Sequence, residues 1–122
     1  MLVSDSDTRG PVTKRHKTDL LKGTLDLLIL KTLALEPLHG VAVADRLAQI
    51  TGGTFQVPAG SLFPALHRLE AEDLIAGEWS VVDGRRIKSY ALTTAGRRQL
   101  TVETKQWERI VAAVSQVLET TS

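Results

Sequence analysis

Two groups of side chains in this 122-residue chain have types and spacing suited to chemistry, and that chemistry is recognition, not bond-making. The first lies in Gly60-Ser61-Leu62-Phe63-Pro64-Ala65-Leu66-His67-Arg68-Leu69-Glu70. Leu62, Ala65, Leu66 and Leu69 fall at i, i+3, i+4 and i+7, which is one apolar stripe of a helix. The face away from that stripe carries Ser61, Phe63, Pro64, His67 and Arg68. Small, aromatic and basic groups on a short helix suit a DNA major groove, where base edges present donors and acceptors. The second group is Arg85, Arg86 and Lys88 beside Tyr90, just after Asp83-Gly84. Clustered cations of this kind suit phosphates.

Other chemistries find no support. His67 and Glu70 stand three apart on the helix, but two ligands are too few for a metal and no third histidine or cysteine is placed to help. No nucleophile elbow, phosphate-binding loop or dinucleotide fingerprint occurs. Neither a catalytic residue, a metal nor a cofactor is therefore expected. His39, before Gly40, suits a helix cap better than a catalytic base. The absence of cysteine fits a reducing cytoplasm, and no apolar run reaches the length of a membrane span, so a cytoplasmic protein without a membrane partner is expected. Net charge is only +1, but it is unevenly spread. Residues 9–22 hold Arg9, Lys14, Arg15, Lys17 and Lys22 against Asp19, and residues 84–98 hold Arg85, Arg86, Lys88, Arg97 and Arg98 with no acid.

The elements that must position these groups follow from periodicity. Residues 1–18 lack it and read as a disordered basic arm. Residues 20–35 form a helix that is apolar nearly all round except at Lys22, Asp26 and Lys31, as expected of a helix buried on more than one side. A second helix covers 41–51, a short strand 54–57, and the recognition helix 60–73, with Ser61 as its cap. Strands at 74–82 and 85–92 make a hairpin through Asp83-Gly84, with Trp79 expected in the core. A last helix, capped by Thr93 or Thr94, runs from about 95 to 119. From Trp107 onward its apolar residues Trp107, Ile110, Val111, Val114, Val117 and Leu118 are spaced like a coiled-coil seam.

The expected fold is mainly α with a small β-hairpin. A winged helix-turn-helix occupies residues 19–93, and a long C-terminal dimerisation helix occupies 94–122. Pairing with a second copy would bury Leu21, Leu25 and Leu28 of the first helix and the seam from Trp107 to Leu118. It would also set two recognition helices about one DNA turn (~34 Å) apart, as on a pseudo-palindromic operator. Helix 60–73 would then read the major groove of double-stranded DNA, with the wing, residues 82–90, on the backbone or in the minor groove. Trp107 also suits the wall of a pocket for a flat aromatic effector. The rival expectation is a winged helix used only for protein contact, against which the acid-free basic run argues.

Gly23-Thr24-Leu25-Asp26-Leu27-Leu28-Ile29-Leu30, the His39-Gly40 pair, the string from Gly60 to Glu70, and Leu92-Thr93-Thr94-Ala95-Gly96 together resemble the PadR family of bacterial transcriptional regulators. The resemblance covers roughly residues 20–118, and the short C-terminus is similar to the family's compact subgroup. It implies a dimeric repressor whose first and last helices dimerise. By position it implies that Ser61, Phe63, Pro64, His67 and Arg68 form the recognition segment and Arg85, Arg86 and Lys88 the wing. The family's phenolic-acid and drug sensors add to the effector reading of Trp107. The chain departs from the family pattern at Phe63 and Val41, where tyrosine is usual.

Overall fold

The computed structural model describes residues 10–121, with side chains from residue 23 onward. Its elements are α1 (Gly10–Leu35), β1 (Leu38–His39), α2 (Gly40–Ile50), α3 (Ala59–Ala71), β2 (Ile75–Val82), β3 (Arg85–Leu92) and α4 (Thr94–Glu119). The expected arm is thus helical from Gly10, while its residues 1–9 lie outside the described residues. Pro11 falls in the first turn of α1, where its missing N–H costs no hydrogen bond, and no glycine or proline interrupts residues 12–19.

Helices α1, α2 and α3 supply most of one core, to which α4 adds the buried Gly96 and a partly buried Leu100. Ile29, Leu30 and Leu33 of α1 meet Val43 and Leu47 of α2 and the stripe Leu62, Ala65, Leu66 and Leu69 of α3, closed by Ile75 and Tyr90. Burial of these aliphatic groups supplies the main stabilisation, ~1.5–3 kcal/mol for each large side chain before conformational entropy is subtracted. Thr32, the one buried polar side chain among the described residues, donates its hydroxyl to the Leu28 carbonyl. Ile50, whose spacing matches Val43 and Leu47, lies at the end of α2 and is exposed.

The helix ends carry their own signals. His39 Nδ1 accepts from the Ala42 N–H and caps α2. Gly52, at φ +60°, ends α2 with Gly53 N–H donating to the Ala48 carbonyl. Helix α3 ends in the same way, with Asp73 at φ 61° in the position that usually takes glycine and Leu74 N–H donating to the Leu69 carbonyl. At its start, Pro58 is the N-cap and no side chain caps it, so Ser61 lies inside the first turn and does not act as the cap. Thr93 caps α4 by accepting from the Gly96 N–H.

The sheet differs from expectation in two places, with an added strand at Leu38–His39 and none at 54–57. Its order is β1-β3-β2, all antiparallel, with Leu38 opposite Tyr90 and His39 opposite Ser89. Residues 54–57 form no strand, because Phe55 N–H donates to the Thr51 hydroxyl and Gln56 turns back on the Gly53 carbonyl. In the hairpin turn both Asp83 (φ 52°) and Gly84 (φ 77°) take positive φ, as a two-residue type I′ turn requires. From Glu78 to Arg86 every residue is exposed, so the hairpin stands out from the body.

Candidate nucleic-acid interface

Around α3, the direction of each side chain follows from 100° per residue. Measured from the centre of the buried stripe, Gly60, Pro64 and His67 lie about 150–170° away, the true outward face. Ser61 and Arg68 lie ~90–110° to one side, Phe63 and Glu70 about as far to the other. Ser61, Pro64 and His67 are exposed.

The two flanks are occupied by the rest of the chain. Arg68 crosses to α1, where both its terminal nitrogens donate to Asp26, one to each carboxylate oxygen, at 2.8 Å. This fork is half-buried, with side-chain exposures of 27% for Arg68 and 17% for Asp26. Donating these hydrogen bonds to the Asp26 carboxylate raises the guanidinium's pKa above its ordinary value. On the other flank, Phe63 packs on Gly40. A Cβ at residue 40 would meet the Phe63 ring at 2.8 Å, so only glycine leaves room for it. Glu70 accepts from Lys88 Nζ at 2.8 Å and so ties α3 to β3. Glu70 also raises Lys88 above the usual lysine value, mainly through that hydrogen bond. A raised lysine contributes stability throughout neutral pH and loses it as pH rises through the raised value.

Of the eight side chains expected to face DNA, Ser61, Pro64, His67, Arg85 and Arg86 are exposed to solvent. Phe63, Arg68 and Lys88 are turned onto Gly40, Asp26 and Glu70 instead. Trp79, expected in the core, is 55% exposed, because it lies on β2 beyond the point where the body stops covering the hairpin. The Arg86 guanidinium lies over its ring at 4.5 Å from the centroid, and Lys88 Nζ lies 5.7 Å from the same ring and 5.3 Å from that of Tyr90.

Two clefts flank α1. An open groove of about 530 Å³ lies between α1, residues 55–58 and α3, lined by Leu25, Leu28, Phe55 and Ala65 among others. A smaller one of about 320 Å³ lies between α1 and α4, lined by Asp26 and Leu27 of α1 and by Glu103, Trp107 and Ile110 of α4. Leu25 and Leu28 pack partly on the chain's own core, and the side chain of Leu21 lies outside the described residues. Along α4, Trp107, Ile110, Val111, Val114, Val117 and Leu118 are 41% to 78% exposed.

A helix pair with a projecting cationic hairpin fits many regulators, and comparison with known proteins narrows the choice. Residues 29–102 match the transcriptional regulator PadR-like family. The chain belongs to that family. A transcriptional regulator of Mycobacterium tuberculosis, Rv3488, is 36% identical over 93 residues, covering 76% of this chain and 84% of its own. A PadR family transcriptional regulator from Eggerthella lenta superposes with a TM-score of 0.75 at 31% identity, covering 93% of this chain and 98% of its own. A PadR-like transcriptional regulator from Bacillus cereus gives 0.72 at 31% identity, covering 84% and 99%. The mostly helical architecture with a small antiparallel sheet and a long last helix is therefore that of the PadR winged helices. As a PadR-like transcriptional regulator the chain has DNA as its partner. Among the described residues no helix is long and apolar enough to cross a membrane, and no cluster of His, Cys, Asp or Glu is arranged to hold a metal ion.

Proposed function

We propose that this PadR-like regulator acts as a homodimeric repressor on a pseudo-palindromic operator. Helix α3 enters the major groove with Ser61, Pro64 and His67 toward the bases, and the hairpin lays Arg85 and Arg86 on the backbone or in the minor groove. Phe63, Arg68 and Lys88 support these contacts from behind, through Gly40, Asp26 and Glu70. The observation carrying this reading is the outward face of α3. It is free of internal partners, while both its flanks are pinned to α1 and to the hairpin. A helix held in that way keeps a fixed angle to the wing, and base reading needs that angle.

The dimer reading is supported by α4, whose seam from Trp107 onward has no cover in one chain. Two copies pairing through α1 and α4, with Leu21, Leu25 and Leu28 contributing, would bury it. Trp107 then anchors the seam. The cleft beside it gives a second reading, a seat for a small aromatic effector stacked on the indole.

Fluorescence anisotropy tests the reading directly. A labelled duplex from upstream of the chain's own gene is compared with a scrambled duplex at several salt concentrations. Tight, salt-sensitive binding that favours the native duplex is expected. Absence of binding to either duplex at low salt would overturn it in favour of a protein-contact module.

A further inference from the structure

Strand alternation sorts the hairpin into two faces. The register pairs Gly77 with Tyr90, Trp79 with Lys88 and Val81 with Arg86, so these six residues share one face. Its base is sealed, since Tyr90 is buried. Its outer part is open, with Trp79 55% and Val81 70% exposed. A large aromatic ring held in water at the end of a projecting hairpin is surface kept for a partner.

The chemistry of the face identifies that partner. Of the hairpin's own residues it carries Arg86 and Lys88 and no acid, because Glu78 points to the opposite face and Asp83 lies in the turn. The Glu70 carboxylate of α3 reaches only the base of this face, beside Gly77. Lys88 is already engaged by Glu70, so Arg86 is the cation left for an incoming group. Its guanidinium rests on the Trp79 indole, and a stacked guanidinium keeps its N–H donors in plane, directed outward for a phosphate. Fixing the arginine in advance also removes part of the rotamer entropy that a free side chain loses on binding.

We propose that Trp79 and Arg86 form one composite contact with the DNA backbone, in which Arg86 donates to a phosphate and the indole covers the neighbouring deoxyribose. This rests on the DNA reading above and adds Trp79, an uncharged residue, to the contact surface.

The test uses the full chain labelled with fluorotryptophan. Its two tryptophans give two fluorine resonances, and Trp79→Phe identifies the one from residue 79. A duplex of about 30 base pairs, long enough for two half-sites one turn apart, is added at low salt. The Trp79 resonance should shift and lose its sensitivity to exchange of water for deuterium oxide. In parallel, Trp79→Ala should weaken binding roughly five- to tenfold on native and scrambled duplexes alike. Because no charge is removed, its salt slope should match the wild type, whereas Arg86→Ala should lower the slope by about 1. A wild type that binds by anisotropy while its Trp79 resonance keeps full solvent sensitivity overturns the inference and leaves the DNA reading standing. A wild type that binds no duplex removes both. Should Trp79→Ala fail to fold, the wild-type resonance decides.

Discussion

Replacing Asp26 with asparagine asks whether α1 holds the recognition helix in place. The substitution keeps the shape and one oxygen acceptor but removes the charge that meets both Arg68 nitrogens at 2.8 Å. With 27% and 17% exposure, the pair stands between two known limits. An exposed pair contributes ~0–1 kcal/mol, and breaking a fully buried one costs ~3–5 kcal/mol. An intermediate loss of about 2 kcal/mol is expected. With an unfolding entropy of ~2.1 cal/mol/K per residue, each kcal/mol is worth about 4 °C in a chain this long, so Tm should fall by about 8 °C. Thermal denaturation followed by circular dichroism measures it for Asp26→Asn, Arg68→Met and the double variant. The double variant should lose less than the sum of the singles, by ~1.5 kcal/mol, since the second change removes what the first has already broken. Both singles should weaken DNA binding without changing the preferred sequence, because Arg68 positions α3 and does not itself read a base. Additive losses, together with a new base preference in Arg68→Met alone, would refute the argument and turn Arg68 outward onto DNA.

Four further outcomes follow from the same geometry. Arg85→Ala combined with Arg86→Ala should weaken binding evenly across sequences and lower the salt slope by about 1.8, read from anisotropy at several salt concentrations; an unchanged slope would remove the wing from the contact. His67→Ala should change the base selected at one position of each half-site by ~1–3 kcal/mol, measured by selection from a randomised duplex, and an unaltered preference would take His67 off the reading face. Val114→Glu places a charge in the uncovered seam of α4 and should shift sedimentation from dimer to monomer; a persistent dimer would locate the interface elsewhere. Asp73→Gly should raise Tm by about 2–4 °C, since glycine takes the left-handed conformation at φ 61° without the cost of a Cβ, and no gain would mean that the aspartate is compensated locally.

How far this surface could be read without coordinates depended on whether each signal was local. The stripe of α3, the Asp83-Gly84 turn and the Thr93 cap are local, and each stands within a few residues of where its spacing puts it. Strand β1 could not be read in this way, because Leu38 and His39 are extended by pairing with Ser89 and Tyr90, some fifty residues on. Trp79 misled for a similar reason: an indole on an alternating strand reads as core, and its spacing is silent on where the body ends and the hairpin projects. The flanks of α3 are the instructive case. Periodicity separates inward from outward, but a residue 90–110° from the stripe faces solvent only if no neighbour stands there. Two signals of such neighbours were nonetheless present in the sequence. Asp26 sits between Leu25 and Leu27 on a helix apolar nearly all round, and a carboxylate in such a place requires a cation. Gly40 opens a helix where a side chain would ordinarily stand, and Phe63 fills the space it leaves. Matching Asp26 to Arg68 and the missing side chain to Phe63 separates the packed flanks of the segment from its exposed face. Residues that complete another element's deficit are drawn onto it, and Ser61, Pro64 and His67, which complete none, stay exposed as the face proposed to meet DNA.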